Sequence, residues 1–190
     1  MNDATMIQRR REASPRFKGR LAGGLWLLSF SIAAISESFV HGPWNIAGGL
    51  IAVAGMTAVT LLLYGIFQPV SKPLSSAAVP CGLIGLAFEA LRWQPLGVNF
   101  AIVFSGFYCL LLGYLIIRSA FLPRRLGQLM AVAGMSWLTY VSTPLAGYLS
   151  PYNLAAGVLG EASVMLWLLL IGLNAQKWME QAAAPRVTLT

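Results

Sequence analysis

Charged residues are scarce in this sequence. Only 10% of its 190 residues are charged and 57% are hydrophobic, whereas soluble domains usually carry about 25% charged residues. The apolar residues form long blocks instead of an amphipathic alternation, which is typical of membrane-spanning helices. The composition therefore predicts an all-α integral membrane protein.

Cysteine and histidine are also scarce, which limits metal and cofactor chemistry. Cys81 and Cys109 both lie in apolar runs without a CxxC or Cys/His pattern, as expected of buried free thiols. The single histidine, His41, cannot form a metal site alone. We predict no catalytic residue, metal or cofactor, and keep His41 as an alternative axial ligand for a haem or a chlorophyll-type pigment.

Six segments are long and apolar enough to cross a ~30 Å bilayer core as helices of about 20 residues. They are Leu21–Val40, Ile46–Phe67, Ser76–Trp93, Asn99–Ile117, Leu126–Tyr148 and Leu154–Ala175. Short links, several with glycine and proline, separate them, so neighbouring helices must run antiparallel. We predict a basic arm over residues 1–20, a six-helix transmembrane domain over 21–175 and a tail over 176–190.

Lysine and arginine predict the orientation. If the N-terminus is cytoplasmic, every Lys and Arg except Arg92 falls on the cytoplasmic side. This bias predicts cytoplasmic N- and C-termini. The basic arm directly precedes a spanning segment, so membrane flanking explains its charge better than nucleic-acid binding does.

Half of the six acidic residues lie inside predicted spans. Each of these carboxylates, Glu37, Glu89 and Glu161, costs ~2.5–3.5 kcal/mol if it is central and charged. Their positions in the spans place all three in the outer half of the bilayer. Further polar residues are expected at similar depth: Asn99, Thr143 and Tyr148.

Helical spacing predicts partners for these carboxylates. Arg92 follows Glu89 by three residues on one helix face and is expected to pair with it, and it is also the expected counter-charge of Glu161. His41 follows Glu37 by four residues and lies within its reach. Two interpretations stay open: an outward-facing pocket that binds a small molecule or relays a proton, and hydrogen bonding between helices that fixes the bundle.

A short repeat links two predicted spans. LIAVAGM (Leu50–Met56) recurs as LMAVAGM (Leu129–Met135) in spans two and five, which run in opposite directions. An inverted three-plus-three repeat, found in many transporters, would give this arrangement. Chance similarity among small apolar residues is the alternative.

Three longer stretches resemble a known family: RLAGGLWLLSFSIAAISESFVHG, YLIIRSAFLPRRLGQLMAVAGMSWL and LGEASVMLWLLLIGL. They are similar to domain-of-unknown-function family 4386, a bacterial family of small polytopic membrane proteins. The matching positions are Arg20, Ala22, Gly23, Arg118, Pro123, Leu126, Gly127, Glu161 and Trp167. The resemblance implies a six-helix bundle in the bacterial inner membrane and no known activity.

Three functions stay open at this point. The first is binding or transport of a small molecule or proton through the polar cluster of Glu37, His41, Glu89, Arg92 and Glu161. The second is an accessory subunit of a larger membrane complex, for instance one associated with pigment or redox chemistry. The third, an intramembrane enzyme, has the least support from the sequence. The expected partner is the lipid bilayer, and the ligand is not specified.

Overall fold

The computed structural model describes residues 14–184, and within that range the chain is helical without any β-strand. The all-α prediction is confirmed. The described α-helices are α1 (Pro15–Phe39), α2 (Pro43–Phe67), α3 (Lys72–Ala90), α4 (Phe100–Arg118), α5 (Arg124–Leu138), α6 (Thr143–Leu149), α7 (Tyr152–Leu170) and α8 (Ala175–Ala183). Short 3₁₀ turns at Pro95–Gly97 and Thr139–Val141 precede α4 and α6.

Five of these helices, α1, α2, α3, α4 and α7, are long and apolar enough to cross a membrane. They correspond to predicted spans one to four and six. Their length and composition indicate a membrane protein.

The predicted fifth span, Leu126–Tyr148, is not one continuous helix. Its first part, α5, has 15 residues, which give a length of about 22 Å, less than the ~30 Å of a bilayer core. The interruption precedes Pro144, whose ring and missing N–H oppose a continuous helix through the preceding turn. A sixth span, made of α5 with the segment that follows it, stays a prediction.

The predicted arm and tail are described only in part, because residues 1–13 and 185–190 lie outside the described range. Helix α1 already begins at Pro15, where the hydroxyl of Ser14 accepts a hydrogen bond from the Phe17 amide at 3.3 Å. At the other terminus, Trp178 of α8 donates its indole N–H to the Ile66 carbonyl at 2.8 Å. The segment predicted as a tail therefore contains a helix packed against the end of α2.

The long helices form a ring in chain order. Helix α1 packs on α2, α2 on α3, α3 on α4, α4 on α5, α5 on α7, and α7 closes the ring on α1. The interior is filled by large apolar side chains that are at most 2% exposed, among them Trp26, Leu63, Leu112, Met130 and Leu168. Because only neighbours in the ring pack extensively, residues on α3 and α7 contact different helices.

Glycines bring α4 and α5 into backbone contact. Gly113 faces Gly127, and Gly106 faces Gly134. A Cβ atom added at any of the four would lie 2.6–3.0 Å from the carbonyl oxygen of the facing glycine. A larger residue would therefore push the two helices apart.

Helices α1 and α2 are joined by a similar pair of contacts, with serines on one side. Gly48 faces Ser36, and Gly55 faces Ser29. In both hairpins the contacts recur seven residues apart, and Gly55 corresponds to Gly134 in the repeated heptapeptide. The two hairpins open toward opposite ends of the ring. This correspondence supports the inverted repeat, with α1–α3 as one half and α4, α5 and α7 as the other.

The two ends of the ring differ in charge. We call one the Arg16 end: it contains the starts of α1, α3 and α5, the ends of α2, α4 and α7, and helix α8. We call the other the Arg92 end: it contains the ends of α1 and α3 and the start of α4. Every described lysine and arginine except Arg92 lies toward the Arg16 end, whereas Glu37 and Glu89 lie at the Arg92 end.

Candidate functional site

An open pocket of about 500 Å³ lies at the Arg92 end, between the ends of α1 and α3 and the start of α4. Three of the residues predicted as a polar cluster, Glu37, Glu89 and Arg92, line it together with Asn99. Asn99 also caps α4, because its side-chain oxygen accepts a hydrogen bond from the Ile102 amide at 3.2 Å. The structure thus places carboxylates from two helices in one pocket.

Arg92 connects three helices at this pocket. Its Nη2 donates to Glu37 Oε1 at 2.9 Å and to Asn45 Oδ1. Asn45, on α2, donates in turn to the Ser36 carbonyl at 2.6 Å. The ion pair is exposed, with 51% of the Arg92 and 63% of the Glu37 side chain accessible. Exposed ion pairs stabilise a fold by only about 0–1 kcal/mol. Stability alone therefore does little to explain the Arg92–Glu37 pair.

The backbone at Arg92 is strained. Its φ is 49°, the left-handed region. Its amide donates to the Glu89 carbonyl at 3.0 Å, and the Trp93 amide donates to the Phe88 carbonyl at 3.1 Å. These two bonds form a Schellman motif, in which glycine usually takes the left-handed position. A residue with a side chain costs roughly 1–2 kcal/mol there, and strain of this kind is concentrated at functional sites.

An aromatic wall borders the same pocket. Phe88 stacks on Trp93, with ring centroids 5.3 Å apart, and on Phe100 at 5.5 Å. Both Phe88 and Trp93 line the pocket beside Glu89. The site therefore combines carboxylates with aromatic faces, and both attract cations.

Two predicted pairs do not form. Arg92 binds Glu37 rather than Glu89, because Arg92 lies beyond the end of α3 and helical spacing no longer applies to it. His41 forms no ion pair with Glu37 in the described structure, because α1 ends at Phe39 and His41 lies exposed in the following link. Its role as a haem or pigment ligand stays a prediction.

Glu161 lies apart from this pocket, at the middle of α7 and only 6% exposed. Its Oε1 accepts hydrogen bonds from Trp137 Nε1 at 2.6 Å and from Cys109 Sγ at 3.5 Å. These partners lie on α5 and α4, so the carboxylate joins the three long helices of the second half. The expected counter-charge, Arg92, is bound to Glu37 instead.

The surroundings of Glu161 favour the helix-fixing interpretation for this residue. Buried polar groups in native proteins are normally hydrogen-bonded, and the Trp137 indole N–H supplies such a bond to Glu161 inside the ring. Gly157, one turn before Glu161, makes room for the indole: a Cβ there would lie 2.7 Å from Trp137 Cη2. The structure thus divides the predicted cluster between a surface pocket and an interior network.

The sequence did not identify three participants: Asn45, Cys109 and Trp137. Cys109 was expected only to be a buried thiol, and no sequence pattern indicated a role for Asn45 or Trp137. The one available signal was Gly157, because a glycine in a membrane helix indicates the close approach of a neighbouring helix. The identity of that neighbour depends on how α5 packs on α7.

Comparison with known proteins gives a family but no activity. Residues 86–172 match the family described as Domain of unknown function (DUF4386). The chain is 25% identical over 143 residues to an uncharacterized protein of Archaeoglobus fulgidus, an alignment that covers 68% of this chain and 84% of that protein. No solved structure matches the chain significantly. The resemblance seen in the sequence motifs is therefore confirmed over residues 86–172, where the chain matches the DUF4386 family model.

Proposed function

We propose that this membrane protein binds a small organic cation at the Arg92 end and carries it across the bilayer. Glu89 carries the proposal: its carboxylate lines a pocket of about 500 Å³ beside an aromatic wall and has no hydrogen-bond partner among the described residues. Arg92 neutralises Glu37, so the pocket keeps one net negative charge. An amine or quaternary ammonium group matches that charge and the aromatic faces.

The arrangement of the hairpins supports transport rather than binding alone. The glycine contacts of α1–α2 recur in α4–α5 with opposite orientation. Many transporters are built from two inverted halves that rock against each other and open a site to alternate sides. The pocket lies where the two halves meet, between α3 and α4.

We also propose that the protein lies in a bacterial inner membrane with both termini in the cytoplasm. The distribution of charge supports this, because the described lysines and arginines other than Arg92 are concentrated toward the Arg16 end. Positively charged segments are retained on the cytoplasmic side. The pocket then opens to the outside.

The test is cation binding by the purified full-length protein in neutral detergent, measured by calorimetric titration with tetramethylammonium. Glu89→Gln keeps the shape of the side chain and removes its charge, so we expect the affinity to fall at least about tenfold, which corresponds to ~1.4 kcal/mol. Glu180→Gln is the matched control, since Glu180 is exposed on α8 at the other end. Its affinity should equal that of the wild type.

Vesicle uptake distinguishes transport from binding. Protein reconstituted in phosphatidylcholine vesicles should take up labelled tetramethylammonium, and Glu89→Gln should abolish the uptake. Equal binding by wild type and Glu89→Gln would refute the cation site. The alternative of an accessory subunit predicts that mild extraction yields a larger assembly, and native mass spectrometry of the gently extracted protein would detect it.

A further inference from the structure

A second, larger pocket of about 590 Å³ opens at the Arg16 end. It lies between the start of α1, the link between α4 and α5, and the connection from α7 to α8. Arg16 and Lys177 line it, together with Asn174 and the apolar side chains of Phe121, Trp167 and Ile171. No acidic residue is among its described lining residues, so its charge is positive.

Two arginines of α1, of which Arg16 lines the pocket, are bound to the end of α7. Arg16 Nε donates to the Ile171 carbonyl at 3.4 Å, and Arg20 Nη2 donates to the Leu170 carbonyl at 3.0 Å. These bonds satisfy carbonyls at the C-terminal end of α7, where the helix dipole favours cations. The Arg16 bond uses Nε, and the terminal nitrogens have no hydrogen-bond partner among the described residues. The guanidinium group is thus pre-organised beside the pocket and keeps donors for a ligand.

The wall of the pocket also includes an aromatic side chain. Trp167 lines it, and its indole nitrogen is buried with no hydrogen-bond partner among the described residues. Buried N–H groups in native proteins are nearly always bonded to protein, water or ligand. The two cations of the pocket, Arg16 and Lys177, favour an acceptor that carries negative charge.

We propose that this pocket binds a phosphate group, and that the phosphate belongs to an anionic membrane lipid. Basic pockets between membrane helices on the cytoplasmic side are suited to lipid headgroups. The apolar side chain of Ile171, which is 47% exposed, suits an acyl chain next to the headgroup, whereas free phosphate would gain nothing from it. Lys177, on the amphipathic helix α8, is placed to contact the same phosphate from the polar side.

The test is native mass spectrometry of the full-length protein with phosphatidylglycerol or phosphatidylcholine added in detergent. We expect the wild type to retain one phosphatidylglycerol molecule and to bind phosphatidylcholine much more weakly. Arg16→Gln combined with Lys177→Gln should lower the affinity for phosphatidylglycerol roughly tenfold or more, since each basic residue contributes substantially to anionic-lipid binding. Lys177→Gln alone should give part of the loss. It keeps the fold intact, because this side chain makes no hydrogen bond to the described residues.

Arg124→Gln is the matched control, since Arg124 is an exposed cation at the same end but outside the pocket lining. It should bind phosphatidylglycerol like the wild type. Inorganic phosphate that displaces the lipid at millimolar concentration would overturn the lipid assignment in favour of a free phosphate. Equal retention of the two lipids, or equal losses in the Arg124→Gln and Lys177→Gln variants, would refute the site.

Discussion

The two halves of the ring have similar contacts between helices, but the contacts differ in how much added side-chain volume they can accommodate. In α4–α5, glycine faces glycine, so backbone touches backbone. In α1–α2, glycine faces serine, and a side chain fills the gap. The pockets follow the same correspondence, one where α3 meets α4 and one where α7 meets α1, with opposite net charge. The same arrangement of helices therefore forms two pockets of opposite charge, because the lining residues differ between the halves while the contacts between helices recur.

The largest expected effect tests the difference between the hairpins. In Gly134→Ala the new Cβ would lie 2.8 Å from the Gly106 carbonyl oxygen and 2.9 Å from the Leu110 amide nitrogen. Backbone atoms cannot rotate away, so we expect a loss of about 2–3 kcal/mol in the free energy of unfolding. Unfolding in mixed detergent, followed by circular dichroism, measures it.

Gly55→Ala is the equivalent change in the first half. Its Cβ would meet only the side chain of Ser29, whose hydroxyl can rotate away at the loss of its hydrogen bond to the Leu25 carbonyl, and alanine favours the helix by roughly 0.5–1 kcal/mol. We expect a change of less than about 1 kcal/mol. Equal destabilisation by the two alanines would show that the hairpins pack equally tightly.

The next effect concerns Glu161. Trp137→Phe removes the indole N–H and leaves a buried carboxylate with one donor fewer, which costs about 1–3 kcal/mol in addition to the lost ring volume. Trp26→Phe is the control in the first half, because the Trp26 indole nitrogen has no partner among the described residues. Chemical denaturation of the two variants should therefore give a larger loss for Trp137→Phe. An equal loss in the free energy of unfolding of both variants would mean that the hydrogen bond from Trp137 to Glu161 contributes nothing to stability.

The smallest expected change in stability concerns the ends of α3 and α7. Gly172 takes the positive φ after α7, whereas Arg92 takes it after α3. Arg92→Gly relieves strain but removes an exposed ion pair, so the free energy of unfolding should rise by no more than about 1 kcal/mol. The affinity for tetramethylammonium should rise, because the pocket loses a positive charge.

Leu96→Gly separates the effect of relieved backbone strain from the effect of the lost positive charge. Leu96 also has a positive φ, of 59°, but it is 95% exposed and does not line the pocket. Calorimetric titration should find its cation affinity unchanged. A fall in affinity for Arg92→Gly would contradict a cation site whose affinity comes from its net negative charge.

The sequence by itself determined the helices and the asymmetry of charge. Hydrophobic runs must bury their backbone polar groups in helices if they are to cross a bilayer, and short links leave antiparallel packing as the simplest arrangement. Both arguments depend on local properties of the chain. At Pro144 the structure interrupts a run that looked continuous in the sequence, because proline opposes an unbroken helix.

Only the tertiary structure decided which polar groups meet. The sequence placed Glu37, Glu89 and Glu161 in the same half of the bilayer, yet the order of helices in the ring puts two at a surface pocket and Glu161 beside Trp137 and Cys109. Spacing along one helix predicted the pair Glu89–Arg92, but Arg92 lies past the helix end, where its side chain reaches α1 and α2. Partners on different helices depend on packing and rotation about each helix axis, and those are set by the glycine contacts of the assembled ring.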